Sequence, residues 1–208
     1  MSEAQKTRIG LLGGTFNPVH HGHLILAQTA MEVCELERVM LVPAASPPHK
    51  PTSNLISSQH RLAMLRMAVE GDPALEVSEI ELRRGGVSYA VDTVAALCRE
   101  RPHADIYFII GADTLPELHL WKDIYDLLAM CTFVTFARPG ARMDEILQRG
   151  LCLDHPWEAR LLEHVTGSRE IDISSSDIRH RIAEGLRIRY LVPDRVAMYI
   201  HEHNLYVS

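Results

Sequence analysis

The chain has 208 residues, enough for one sizeable α/β domain with a proper core. Hydrophobic residues make up 47% and charged ones 23%, and no apolar window is long enough to span a bilayer, so a soluble protein that does not enter membranes is expected. A net charge of -6 argues against a nucleic-acid partner, which asks for a basic face.

The opening stretch, 1–8, is polar and lacks an apolar signal core, which makes the cytoplasm the expected compartment. Residues 8–14 form a short apolar run stopped by glycine, and 23–35 carry apolar residues at helical spacing, giving strand, turn and helix. A second buried strand is expected over 38–45 and completes a βαβ unit. The prolines of 46–54 dictate a loop. A helix follows over 57–71, opened by Ser57 and closed by Gly71. The pattern predicts a strand and turn over 75–89, a helix over 90–101 and an interior strand over 104–113. A tryptophan-bearing helical tract leads to a fifth strand at 131–140. Residues 169–185 read as strand, serine cluster and helix, and 193–204 as a helix with Pro193 at its start.

This alternation predicts a doubly wound, Rossmann-like parallel sheet with helices on both faces. One domain over 1–208 is expected, helical from about residue 174, and nothing bears on its oligomeric state. Cys34, Cys98, Cys131 and Cys152 form no C-x-x-C pair and are expected to be buried reduced thiols. Ligands of such sheets bind beyond the carboxyl ends of the strands, where GGTFNPVHHGH, PPHK, GADT, ARPG and ISSSDIR all fall.

Neither G-x-G-x-x-G nor G-x-x-x-x-G-K-[ST] is present, which excludes support for a nicotinamide-dependent oxidoreductase or a P-loop enzyme. Gly13 and Gly14 still permit close approach of backbone to a ligand. His20 and His23 stand at a helix start, where imidazole N–H groups, free amides and the positive end of the dipole together suit a polyphosphate. The same histidines are open to a metal or a purely structural reading, although no cysteine or carboxylate lies close in sequence to complete a metal set. A second anion site is suggested by Ser174, Ser175 and Ser176 before a helix with Arg179 one turn in; an ordinary N-cap is the alternative. Lysine occurs only at positions 6, 50 and 122, which draws attention to Lys50 in its proline-rich loop.

H-x-G-H after GGTFNP, joined to I-S-S-S-D-I-R, resembles the nucleotidyltransferase α/β-phosphodiesterase superfamily. Together with PPHK, SYAVDT, GADT, ARPG and YLVPDRV, the ordered set is similar to the bacterial nicotinate-nucleotide adenylyltransferases over about residues 8–206. The resemblance implies adenylyl transfer from ATP to nicotinate mononucleotide in NAD biosynthesis, with Mg²⁺ carried by ATP and no protein side chain ligating it. It implies catalytic roles for His20, His23 and Arg179, and ATP contacts from Gly13, Gly14, Thr15, Phe16, Gly111, Asp113, Ser174, Ser175, Ser176 and Arg179. For nicotinate mononucleotide it implies Lys50, Ser88, Tyr89, Thr93, Trp121 and Arg138, with Trp121 stacking on the pyridine ring. Ala90 departs from the family, which more often has a hydroxyl residue there. Rival readings are another H-x-G-H nucleotidyltransferase, such as a pantetheine-phosphate adenylyltransferase, and a non-catalytic nucleotide-sensing module.

Overall fold

A computed structural model describes residues 6–47, 55–137, 146, 148, 150–166 and 171–207. Its centre is a six-stranded, wholly parallel sheet of β1 (Thr7–Gly14), β2 (Arg38–Pro43), β3 (Leu75–Val77), β4 (Ala104–Gly111), β5 (Thr132–Phe136) and β6 (Val165–Thr166), in the order β3-β2-β1-β4-β5-β6. Strand order reverses between β1 and β4, which pair from Thr7↔Ala104 to Leu11↔Phe108. A doubly wound sheet opens its ligand crevice at that switch point.

The interior strands bury both faces, so their side chains divide by parity. Ile9, Leu11, Met40, Val42, Ile106, Phe108 and Ile110 turn to one face and meet α4 (Ala90–Glu100) and α5 (Ile124–Met130) through Val94, Leu97, Leu127 and Leu128. Leu12, Val39, Leu41, Ile109 and Val134 turn to the other, against α1 (His21–Cys34), α2 (Ser58–Val69), α7 (Ser175–Ala183) and α8 (Asp194–Glu202). Gly10 sits against side chains of the second layer. A methyl group there would lie 2.8 Å from Leu36 Cδ1, 2.9 Å from Val39 Cγ2 and 3.0 Å from Ile109 Cδ1.

Several boundaries differ from the sequence-based expectation. Over 75–89 the strand stops at Val77, where Ser78 N donates to Leu41 O, and a short helix α3 (Ile80–Arg84) follows. Apolar alternation through Leu75 and Val77 would need a third apolar residue at 79; the chain has Glu79 there and buries Ile80 and Glu81 instead. The tryptophan-bearing tract is a 3-10 helix (Ala112–Leu120) followed by α5. No strand forms over 171–173 before the serine cluster, and 169–170 lie outside the described residues; the last strand among the described residues is β6, preceded by α6 (Trp157–Glu163). The buried-thiol expectation fails for Cys152, which is exposed, while Cys34, Cys98 and Cys131 are partly buried and all four are free. Burial pushes the Cys131 thiol up to about 12.

Candidate active site

The site begins where β1 runs out. Gly13 and Gly14 end the strand, and the chain turns through Phe16 at φ +47° into α1. Phe16 is 1% exposed; its ring packs under Gly14 and meets the His23 ring edge-on at 4.9 Å. His20 is the N-cap of α1, buried at 6% exposure, and its ring lies 3.7 Å from that of His23. The backbone N–H of His20 donates to His23 Nδ1 at 3.2 Å, which leaves Nε2 as the protonated nitrogen of the neutral His23 ring. Gly22 between them packs close to the ring: a methyl group would lie 3.0 Å from His20 Nδ1 and 3.1 Å from its Cε1, so the imidazole would have to give by a few tenths of an ångström.

The serine cluster is both a cap and a clamp. Ser174 Oγ accepts from Asp177 N at 3.1 Å, the N-cap reading of the motif. Ser175 Oγ donates to Pro18 O at 2.8 Å, and Arg179 Nη1 donates to Asn17 O at 2.8 Å while its Nη2 reaches Ser176 Oγ at 3.2 Å. Residues more than 150 positions apart thus bring the starts of α1 and α7 together.

Three residues that sequence reasoning passed over hold this turn. Arg61 is 1% exposed and donates to Thr15 O at 2.8 Å and to Ile56 O at 3.3 Å. Its signal was present: Arg61 shares the helical stripe of Met64 and Leu65, an odd place for a guanidinium. The third residue from the C-terminus, Tyr206, donates to Asn17 Oδ1 at 2.9 Å, and burial pushes its hydroxyl well above the ordinary tyrosine range. Asn17, 4% exposed, joins the two ends of the network.

Beyond the turn a cleft of about 480 Å³ opens at the switch point. It is lined by Gly13, Gly14 and Thr15 from the end of β1, by Gly111, Asp113 and Trp121 after β4, and by Ser88, Tyr89 and Ala90 at the start of α4. The Trp121 ring is set edge-on against Phe108 at 5.9 Å and 76°. Ser88 Oγ accepts from Ala45 N at 2.9 Å, tying the exit of β2 to the start of α4. Thr93 is 1% exposed and stands behind the wall, its hydroxyl donating to Glu81 Oε1 at 2.7 Å and accepting from Arg84 at 3.0 Å. Glu81, Glu117 and Lys122 line the cleft without having been singled out. Lys50 and Arg138 lie outside the described residues.

Among the described residues no three His, Cys, Asp or Glu side chains converge as a metal-ligand set. Imidazole, hydroxyl and guanidinium donors suit phosphate oxygens, whereas Mg²⁺ asks for anionic or neutral oxygen ligands. No helix among the described residues is long and apolar enough to cross a membrane.

A 3-2-1-4-5-6 parallel sheet, with H-x-G-H at its first helix start and a serine-arginine helix start bound to the same turn, defines a nucleotidyltransferase. The chain belongs to the cytidylyltransferase-like family, whose model matches residues 11–181. It stands there with the nicotinate-nucleotide adenylyltransferases. It is 43% identical to a curated protein of Pelobacter propionicus named "Probable nicotinate-nucleotide adenylyltransferase", over 96% of this chain and 98% of the relative. A protein of the same name from Opitutus terrae is 44% identical over 96% and 97% of the two chains. Among solved structures, the Plasmodium falciparum nicotinic acid mononucleotide adenylyltransferase complexed with NaAD shares the fold at a TM-score of 0.75 and 16% identity, over 96% of this chain and 97% of that one. The same enzyme complexed with APC gives 0.73 and 15%, with the same coverage.

Proposed function

We infer that the chain transfers the adenylyl group of ATP to nicotinate mononucleotide, giving nicotinate adenine dinucleotide and pyrophosphate as a step of NAD biosynthesis. A phosphate oxygen of the mononucleotide attacks the α-phosphorus in line, the bond from that phosphorus to the bridging oxygen breaks, and pyrophosphate leaves with the electron pair. The observation that carries this reading is the union of the two helix starts by Ser175–Pro18 and Arg179–Asn17 beside His20 and His23, directly after the glycines and Thr15 that line the switch-point cleft. The full-length relatives of that name support the choice of acceptor.

Such transfer needs positioning and charge stabilisation more than covalent help from the protein. His20, His23 and Arg179 would stabilise charge on the bridging and leaving oxygens, and Ser174 and Ser176 would present hydroxyls, and Ser175 its first-turn amide, to the outer phosphates. The amides of Gly13, Gly14 and Thr15 would let the phosphates approach the backbone, and Gly111 and Asp113 would face the adenosine ribose. Ser88, Tyr89 and Trp121 would enclose the pyridine ring. Mg²⁺ enters as part of the MgATP substrate, neutralising phosphate charge.

The test offers nicotinate mononucleotide, nicotinamide mononucleotide and phosphopantetheine in turn with MgATP and follows pyrophosphate. Fastest release with nicotinate mononucleotide is expected; strong preference for nicotinamide mononucleotide or phosphopantetheine, or tight ATP binding with no turnover on any acceptor, overturns the reading.

A further inference from the structure

The last residues of the chain return to the loop that follows β1. Leu205, 8% exposed, closes the second hydrophobic layer after α8, and its N–H donates to Ile200 O at 3.0 Å. The next residue, Tyr206, carries its hydroxyl to 2.9 Å from Asn17 Oδ1. Asn17 is the point where distant segments meet. Its side-chain oxygen also accepts from Ile56 N at 3.5 Å, and its backbone carbonyl accepts from Arg179 Nη1 at 2.8 Å. Among the described residues the Arg179 guanidinium has one further hydrogen bond, from Nη2 to Ser176 Oγ at 3.2 Å, and that partner belongs to its own helix. The bond to Asn17 O therefore sets where the guanidinium stands relative to the turn that carries His20 and His23.

Three features separate Tyr206 from a residue that only closes the fold. A phenylalanine would fill the same apolar space, so the hydroxyl is there for its bond; an unbonded polar group is costly in such a place. That hydroxyl lies in the field of two guanidiniums, Arg179 and Arg61, yet burial dominates and keeps it protonated, hence a donor. The backbone is also strained. Asn204 and Tyr206 have φ of +47° and +63°, and a bulky side chain in the left-handed region persists only where its surroundings fix it.

Resting on the adenylyl-transfer reading above, we propose that Tyr206 is a positioning residue for that transfer: it holds Asn17, on whose carbonyl Arg179 is seated, and so aims the guanidinium at the phosphates. The C-terminus is thereby part of the frame of the active site. A neutral hydrogen bond biases a local equilibrium by up to roughly tenfold, which bounds what its loss can cost in rate.

The experiment is a double-mutant cycle in the full chain, with the parent, Tyr206→Phe, Arg179→Met and the double variant. Each is followed through a quenched single turnover of saturating MgATP and nicotinate mononucleotide, assayed for pyrophosphate, so that product release does not mask the chemical step. Tyr206→Phe should lose about three- to tenfold in the parent and less than about twofold in Arg179→Met, where no guanidinium remains to be aimed. The loss should fall on the rate at saturation, with KM for MgATP within about threefold of the parent. Thermal unfolding checks that all four are folded at the assay temperature, as removal of one hydroxyl allows. A parental rate in Tyr206→Phe overturns the proposal, and so does a loss confined to KM. An equal loss in both backgrounds overturns it too, because Tyr206 would then serve the fold alone. A parent that forms no pyrophosphate with nicotinate mononucleotide instead overturns the reading on which it rests.

Discussion

Gly22→Ala separates activity from stability. At the second position of α1 a methyl group would lie 3.0 Å from His20 Nδ1 and 3.1 Å from Cε1, while Ile173 O at 3.5 Å is at ordinary contact. The imidazole must therefore give way by a few tenths of an ångström. It has little room, being 6% exposed and set against the His23 ring at 3.7 Å. Misplacement of a catalytic group by about 1 Å costs roughly 10²-fold, so a shift of about a third of that predicts a loss of about fivefold in kcat. Stability moves differently. Replacing glycine in a helix gains up to about 1 kcal/mol, which offsets the contact and holds Tm within about 4 °C of the parent. The assay is pyrophosphate release at saturating MgATP and nicotinate mononucleotide, with thermal unfolding of the same samples. Parental kcat in Gly22→Ala would refute the claim that the glycine is there to seat His20, and a large fall in Tm would show that it serves the fold.

His23→Ala should lose about 10²–10³ in turnover while remaining folded, the usual cost of removing one preorganised donor to a charged transition state; near-normal turnover sinks its assignment. Gly10→Ala should destabilise the chain by about 1–3 kcal/mol, because the added methyl group meets Leu36, Val39 and Ile109 at 2.8–3.0 Å; an unchanged urea midpoint would show that the core yields freely. Tyr206 makes a pH prediction. Burial keeps its hydroxyl protonated in the folded chain above pH 10, against the pull of Arg179 and Arg61, whereas the unfolded chain loses that proton. Its stabilising effect is full below about pH 10 and is lost as pH rises, by up to about 1.4 kcal/mol per unit. Stability measured from pH 9 to 11 should fall less steeply in Tyr206→Phe, and equal slopes would contradict the burial argument.

The sequence determined what depends on local pattern. Glycine after an apolar run marked the end of β1, proline and serine marked loops and helix starts, and strand-helix alternation was enough for a parallel doubly wound sheet. H-x-G-H and the serine-arginine helix start were legible because their chemistry lies in residues adjacent in the chain. Alternation failed over 75–89, where burial of Glu81 against Thr93 and Arg84 supports a helix that no local pattern announces. Only the tertiary structure decided which groups hold the active turn: Arg61, Tyr206, Ser175 and Arg179 all bond to residues 15–18 from 46 to 189 positions away. It also turned Phe16 and Thr93 inward and set Lys122 on the cleft wall. Periodicity reports which side of an element is apolar, but a hydrogen bond between distant segments exists only once packing has brought them within about 3 Å and excluded the water that would otherwise take its place.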